Sequence, residues 1–293
     1  MTINNLAEFI KTHVVEINSN EFTKVYEDAN TSLYPPASTG KLTEIFLDAG
    51  IKPLEYMKEV PKTYLANSAI TSVEIPNNIT SISNNAFFNC SGLTNITIPD
   101  GVTSIGDDAF RGCSKLASVT IPDSVTSIGI ATFAWCTALT NVIISNSVTS
   151  ISENAFYHCQ GLVRISIPDN VTTIGNYAFE CCSSLESITI GGSVTSIGHH
   201  AFVECVSLTS VAIPDSVTSI GKSTFNRCKK LKNIIIPDSV TSIEEHAFYG
   251  CSSLTSIKYT GTKNQWSKIH FEDEWDFDSS IKTIHCTDGD LII

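Results

Sequence analysis

From Ile75 onward the apolar positions recur at a fixed spacing. Aligned on an Ala-Phe pair, eight units of 23 residues follow one another without insertion, beginning at Ile75, Ile98, Ile121, Ile144, Ile167, Ile190, Ile213 and Ile236. They share the pattern I-P-x-x-V-T-S-I-x-x-x-A-F-x-x-C-x-x-L-x-x-I-x. A period of this length with fixed aliphatic positions predicts a solenoid, because each unit can bury its apolar side only against its neighbours.

Within a unit the spacing changes twice. Leu93, Ile96 and Ile98 end in alternation of period two, which predicts a strand with Asn95 and Thr97 pointing outward. Proline follows that strand in six of the eight units and marks its end, since it has no N–H to give a ladder. The Val-Thr-Ser-Ile segment predicts a second short strand on another side of the coil. The Gly-x-x-Ala-Phe-x-x-Cys run is too short for a long helix and predicts a helical turn or two, with Ala and Phe packed inward. The expected class is therefore an α+β repeat solenoid.

The ends depart from the repeat, as ends must when a terminal coil would otherwise expose an apolar face and unpaired strand edges. Tyr64, Ile70 and Val73 fall one period before Phe87, Leu93 and Ile96, so residues 64–74 read as a degraded half-repeat. Ahead of them, helical spacing with Ser38 as N-cap and Gly50 as stop predicts a helical cap over residues 1–63. Residues 259–293 break the period but keep Ile281, Ile284 and Ile292, enough for one closing strand and a lid. The division is thus cap 1–63, solenoid 64–258 and irregular C-terminal cap 259–293.

The repeat pattern resembles that of the BspA-like leucine-rich repeat family, over residues 75–258. The resemblance implies a right-handed curved solenoid and a role in adhesion or protein binding, at the cell surface or after secretion. Composition narrows the partners. A net charge of −12 with 16% charged residues leaves no overall footprint for nucleic acid and no basic patch for an anionic membrane. No run approaches eighteen consecutive apolar residues, so no membrane insertion is expected, and the N-terminus lacks a basic start followed by an apolar run. As written, the chain carries no export address and reads as cytoplasmic, against the surface location that the resemblance implies. Nothing in it signals an oligomeric state.

Candidate chemistry is sparse. Of ten cysteines, Cys90, Cys113, Cys136, Cys159, Cys182, Cys205, Cys228 and Cys251 recur once per unit, and only Cys181 and Cys286 lie outside that register. Thiols stacked at equivalent positions have parallel rather than facing Cβ vectors, which predicts a buried reduced ladder instead of disulfides. His158, His199, His200 and His246 occupy variable positions and read as solvated surface groups. His285 and Cys286, adjacent in a predicted strand, point to opposite faces and make a poor base and nucleophile. No phosphate loop, dinucleotide fingerprint, zinc-protease or serine-hydrolase motif is present, and no cofactor or metal is expected. The acidic-aromatic stretch Phe271–Asp278 could hold Ca²⁺ or present Trp275 to a partner, but a lid with aromatics inward and acids outward explains it equally well.

The expected function is a non-enzymatic scaffold that binds a protein. The first surface is the outward strand face, centred on Asn141, Ile143, Arg164, Ser166, Ser187, Thr189, Asn233 and Ile235. The second is the opposite side, where Arg111, Trp135 and Tyr157 are residue types enriched in binding hot spots. An alternative partner is a glycan or other periodic surface matched to the column of Thr hydroxyls, although stacked hydroxyls can also serve only to bond the turn backbone.

Overall fold

In the computed structural model, the structure describes Leu54, residues 57–62 and residues 64–293. The helical cap expected over residues 1–63, with Ser38 and Gly50 as its signals, lies almost wholly outside the described residues. What is described is a β-solenoid in which each 23-residue unit makes one coil and most units contribute two short parallel strands, Asn95 and Ile128 holding their places as isolated bridges.

The first set comprises β4 (Ser118–Thr120), β5 (Asn141–Ile143), β7 (Arg164–Ser166), β9 (Ser187–Thr189), β11 (Ser210–Ala212), β13 (Asn233–Ile236) and β15 (Ser256–Tyr259). The second comprises β1 (Glu59–Val60), β2 (Ser81–Ile82), β3 (Ser104–Ile105), β6 (Ser150–Ile151), β8 (Thr173–Ile174), β10 (Ser196–Ile197), β12 (Ser219–Ile220), β14 (Ser242–Ile243) and β16 (His270–Phe271). Register follows the repeat: Ser118, Val119 and Thr120 lie opposite Asn141, Val142 and Ile143, and Arg164 lies opposite Ser187. Because the offset equals the period, each side chain sits over its counterpart and the alternation in one coil is reinforced in the next. Val119, Val142 and Ile165 are buried while their strand neighbours face out.

Turns join the two strand sets. In every unit the residue after the first strand accepts from the N–H three residues on, as in Ile79 to Pro76 and Val217 to Pro214. The expected role of proline is thus observed, with Ser145 and Gly191 filling the same position. Gly191 is required by space, because a Cβ there would meet the Pro168 carbonyl oxygen at 2.4 Å.

The third side corrects the α+β expectation. The Ala-Phe segment is not helical. Asn85, Phe87 and Asn89 send their N–H groups to the carbonyls of Asp107, Ala109 and Arg111 in the next coil, at 2.9, 2.8 and 2.7 Å. The intervening Ala86 and Phe88 close three-residue turns within their own coil. Asn85 and Asn89 take φ of 58° and 55°, the left-handed region, and the same two columns hold positive φ in all later units, Trp135 (62°) and His158 (57°) included. A right-handed helix cannot pass through such residues, and alternate N–H groups spent on the neighbouring coil are unavailable for i−4 bonds.

Inside, Phe87, Phe110, Phe133, Phe156, Phe179, Phe202, Phe225 and Phe248 form one stack with centroids 5.1 to 5.6 Å apart. Tyr64 meets its first ring edge-on at 6.2 Å and Trp275 its last at 6.1 Å. Edge-to-face contact closes a stack whose end faces would otherwise meet water. The C-terminal lid adds the short helix α1 (Lys263–Trp266), held by a capping box between Thr262 and Gln265, whose Trp266 packs on Tyr259 at 5.1 Å. It then forms three strands rather than the single one expected, of which β16 extends the second set beside β14. β17 (Thr283–Cys286) continues the parallel sheet beside β15, and β18 (Gly289–Ile292) turns back antiparallel. Ile284 is fully buried as expected, but Ile292 is 75% exposed because β18 lies past the last coil with nothing stacked above its outer face.

Candidate binding surfaces

The first strand set presents a face roughly 35 Å long, taking about 4.8 Å per rung. Asn141, Ile143, Arg164, Ser166, Thr189 and Asn233 are exposed and Ser187 and Ile235 half-exposed. Ile143 stands out as a large aliphatic group 53% exposed among small polar neighbours. Arg164, 77% exposed, reaches Glu186 only at 3.9 Å, a loose surface pair that leaves its guanidinium available. The strands carrying these residues do not form one ladder: β4 and β5 pair with each other, and the seven-stranded sheet begins at β7. Ile143 and Arg164 therefore stand on adjacent coils across a break in the ladder.

At the other end of the face, Asn233, Ile235, Ser256, Lys258 and His285 line an open groove of about 650 Å³. It brings together two of the expected site residues, Asn233 and Ile235, and leaves Asn141, Ile143, Arg164, Ser166, Ser187 and Thr189 outside. His285 Nδ1 is 2.8 Å from Asp290 Oδ1, so its partner is a carboxylate and not the neighbouring thiol. Burial, then the Asp288 charge, push the Cys286 thiol up, which leaves little thiolate for nucleophilic work.

On the opposite side Trp135, 40% exposed, lies flat on His158 with centroids 4.0 Å apart and meets Tyr157 edge-on at 5.8 Å. Arg111 pairs with Asp108 at 3.1 Å and sits 5.9 Å over the Phe88 ring. The structure thus joins Trp135 and Tyr157 and adds His158, which sequence reading placed among solvated histidines. That reading is corrected for three of the four. His158 has a buried Nδ1 without a partner and its pKa is lowered, chiefly by burial. His200 stacks on Tyr177 at 4.9 Å, and His246 Nε2 lies 2.8 Å from Glu274. Stacking in register brings aromatic and imidazole rings from consecutive coils face to face, which no single unit reveals.

The thiol column is reduced, all ten cysteines being free. Each ladder thiol donates to a carbonyl one coil back: Cys113 to Phe87, Cys136 to Phe110 and Cys159 to Phe133, at 3.1 to 3.2 Å. Burial holds Cys136, Cys182 and Cys228 well above an ordinary thiol and pushes Cys251 up to about 12. Cysteine suits the position as a small apolar group that still offers a weak donor. The threonine column stays exposed, but its hydroxyl protons are spent on the preceding coil. Thr103, Thr149, Thr172, Thr195 and Thr241 donate their hydroxyls at 3.1 to 3.3 Å to the carbonyls of Thr80, Thr126, Thr149, Thr172 and Thr218. Their protons are committed to stacking, which weakens the case for a hydroxyl-reading glycan site.

Among the described residues no three His, Cys, Asp or Glu side chains converge to hold a metal ion. The acidic-aromatic stretch behaves as a lid: Trp275 packs on Phe248 and Phe271, Glu272 accepts from the Glu245 N–H at 2.9 Å, and Glu274 meets His246. No helix among the described residues is long and apolar enough to cross a membrane.

Stacked parallel coils with two in-register strand sets define a β-solenoid repeat protein. The BspA type leucine rich repeat profile matches six copies over residues 58–183 and 149–278, and the chain belongs to that family. No curated protein matches it. A leucine-rich repeat protein from Bacteroides ovatus is 27% identical, with a TM-score of 0.55 over 76% of this chain and 69% of its own. A leucine-rich repeat protein from Eubacterium ventriosum is 23% identical, with a TM-score of 0.59 over 80% and 72%, a likeness of fold. A leucine rich cell surface protein from Faecalibacterium prausnitzii is 29% identical over 74% and 80%, at a TM-score of 0.44. The family is typically found at the cell surface and is typically non-enzymatic, and the cytoplasmic reading of the sequence gains no support from it.

Proposed function

We propose that this protein is a non-enzymatic adhesion scaffold, displayed at a cell surface, that binds a protein through the strand face between β5 and β7. The right-handed, curved course implied by the family would make that face concave. The observation that carries the reading is Ile143, half exposed on a rigid strand and flanked one coil on by the exposed Arg164. An isolated aliphatic and an arginine without a tight partner, on an otherwise small polar surface, have the character of binding anchors. Ser166, Ser187 and Thr189 supply hydroxyls around them for rim contacts.

The test is binding of the chain to an array of surface and secreted proteins, repeated with Ile143→Asp and Arg164→Glu. Loss of a central anchor weakens a hot-spot interface by about 30-fold or more. If every protein captured by the unaltered chain is captured equally by both variants, the strand face is not the site. If Trp135→Ala alone removes capture, the Arg111, Trp135 and Tyr157 side is the site instead.

A further inference from the structure

The overall acidity of the chain conceals a local exception. Lys229, Lys230 and Lys232 fall within four residues at the corner where the coil beginning at Ile213 turns into β13, and all three are exposed. The register that sets Ile235 opposite Lys258 sets Lys232 opposite Thr255, and Ser256 opposite Thr283 sets Thr255 opposite Lys282. Lys232 and Lys282 therefore flank Thr255 in one column, about 10 Å apart at two rungs. Lys258 stands beside them on the strand face and lines the groove with Asn233, Ser256 and His285.

None of these five ammonium groups has a carboxylate within salt-bridge distance or a side-chain hydrogen bond among the described residues. Glu204 is held by Arg227 at 2.9 Å and Asp290 by His285 at 2.8 Å, while Glu186, two rungs from Lys232 in the same column, faces Arg164 loosely at 3.9 Å. On a chain of net charge −12, five uncompensated lysines around one corner are a concentrated positive field set in a negative one. This corrects the expectation that the chain offers no basic patch.

We propose that this corner binds a linear anionic glycan, its sulfate or carboxylate groups lying along the Lys229, Lys230, Lys232 and Lys282 ammoniums and its hydroxyls meeting Asn233, Thr255 and Ser256. Lysine presents a compact charge with three rotatable donors, suited to anionic groups spaced along a flexible chain. The surroundings favour a glycan over an acidic polypeptide. Ile130, Trp135, Ile143 and Phe277 lie outside the columns of Lys229, Lys230, Lys232 and Lys282, and the exposed Ile292 and Ile293 flank only Lys282, whose carbonyl accepts from the Ile293 N–H, so the three-lysine centre of the corner lacks the anchor a protein interface uses. The site is separate from Ile143 and Arg164, so it stands or falls independently of the strand-face reading.

The experiment titrates the full chain with a heparin octasaccharide by fluorescence anisotropy at several salt concentrations. Binding should weaken as salt rises. The combined Lys229→Glu, Lys230→Glu and Lys232→Glu variant should bind at least about tenfold more weakly, with a shallower salt dependence. Lys115→Glu, far along the solenoid, should bind as the unaltered chain does. Should the triple variant not fold, Lys230→Glu and Lys282→Glu singly carry the same test. Absence of octasaccharide binding, equal binding by the lysine variants, or an equal loss with Lys115→Glu overturns the proposal. Competition by polyglutamate of matched charge as effective as the octasaccharide overturns it in favour of an acidic polypeptide.

Discussion

Phe179 tests how the coils hold each other. Its ring is fully buried and stacked between Phe156 and Phe202, each 5.4 Å away and within 8° of parallel. Phe179→Ala removes the ring and leaves a cavity that stacked coils on both sides keep open, a loss of about 3–5 kcal/mol. Phe179→Leu is the sharper probe. An aliphatic replacement of similar bulk in a core usually costs under about 1.5 kcal/mol, but here two ring contacts worth about 0.5–1.5 kcal/mol each are also lost, giving about 2–4 kcal/mol. Urea unfolding followed by circular dichroism measures both, fitted with a nearest-neighbour scheme because repeat arrays depart from two-state behaviour. A double-mutant cycle completes the test. Phe179→Leu with Phe202→Leu should show a coupling of about 0.5–1.5 kcal/mol, whereas Phe179→Leu with Phe248→Leu, three coils apart, should be additive. A Phe179→Leu loss below about 1 kcal/mol, or coupling as large at three coils as at one, would refute the stacked-ring argument.

Trp275→Ala removes the edge contact that closes the stack on Phe248 and should lower stability by about 2–3 kcal/mol, with hydrogen exchange rising first in β14, β15 and α1. Thr172→Val deletes the hydroxyl bond to the Thr149 carbonyl, whose backbone bond remains, so unfolding should become easier by about 0.5–1.5 kcal/mol without change of fold. His158 has its pKa lowered by burial, so its neutral form is favoured in the folded state; stability is retained above the ordinary imidazole pKa and declines as pH falls through the folded-state value. An NMR titration should place its midpoint below that of an unfolded peptide, and Trp135→Ala should move it back up; an unshifted midpoint would contradict the stacked, half-buried geometry.

Much of the fold was legible because stacking enforces identity. Val119, Val142 and Ile165 occupy one inward column, and any polar residue there would break contact with two neighbours, so the period and the in-out alternation survive in the sequence. The turn side was not legible. Its left-handed positions hold Asn85 and Asn89, which advertise such a turn, but also Tyr177, Trp135 and His158, which do not. The bonds that replace a helix run from Phe87 to Ala109, between coils, where no local pattern reports them. The strand-face residues were placed correctly as outward, since period two alone decides that. The groove at Asn233 and Ile235 depends on the irregular β17–β18 hairpin, and the lysine corner on register between Lys232, Thr255 and Lys282, neither of which composition conveys.

Counting accessible thiols by alkylation and intact mass, on native and then denatured protein purified without reductant, tests the stacked reduced coil most directly. The eight ladder cysteines should stay unlabelled in the native protein, with any native labelling confined to Cys181 and Cys286, and all ten should label after denaturation. Ladder thiols that label in the native state, or cysteines that never label because they are joined in disulfides, would contradict the in-register burial on which the solenoid rests.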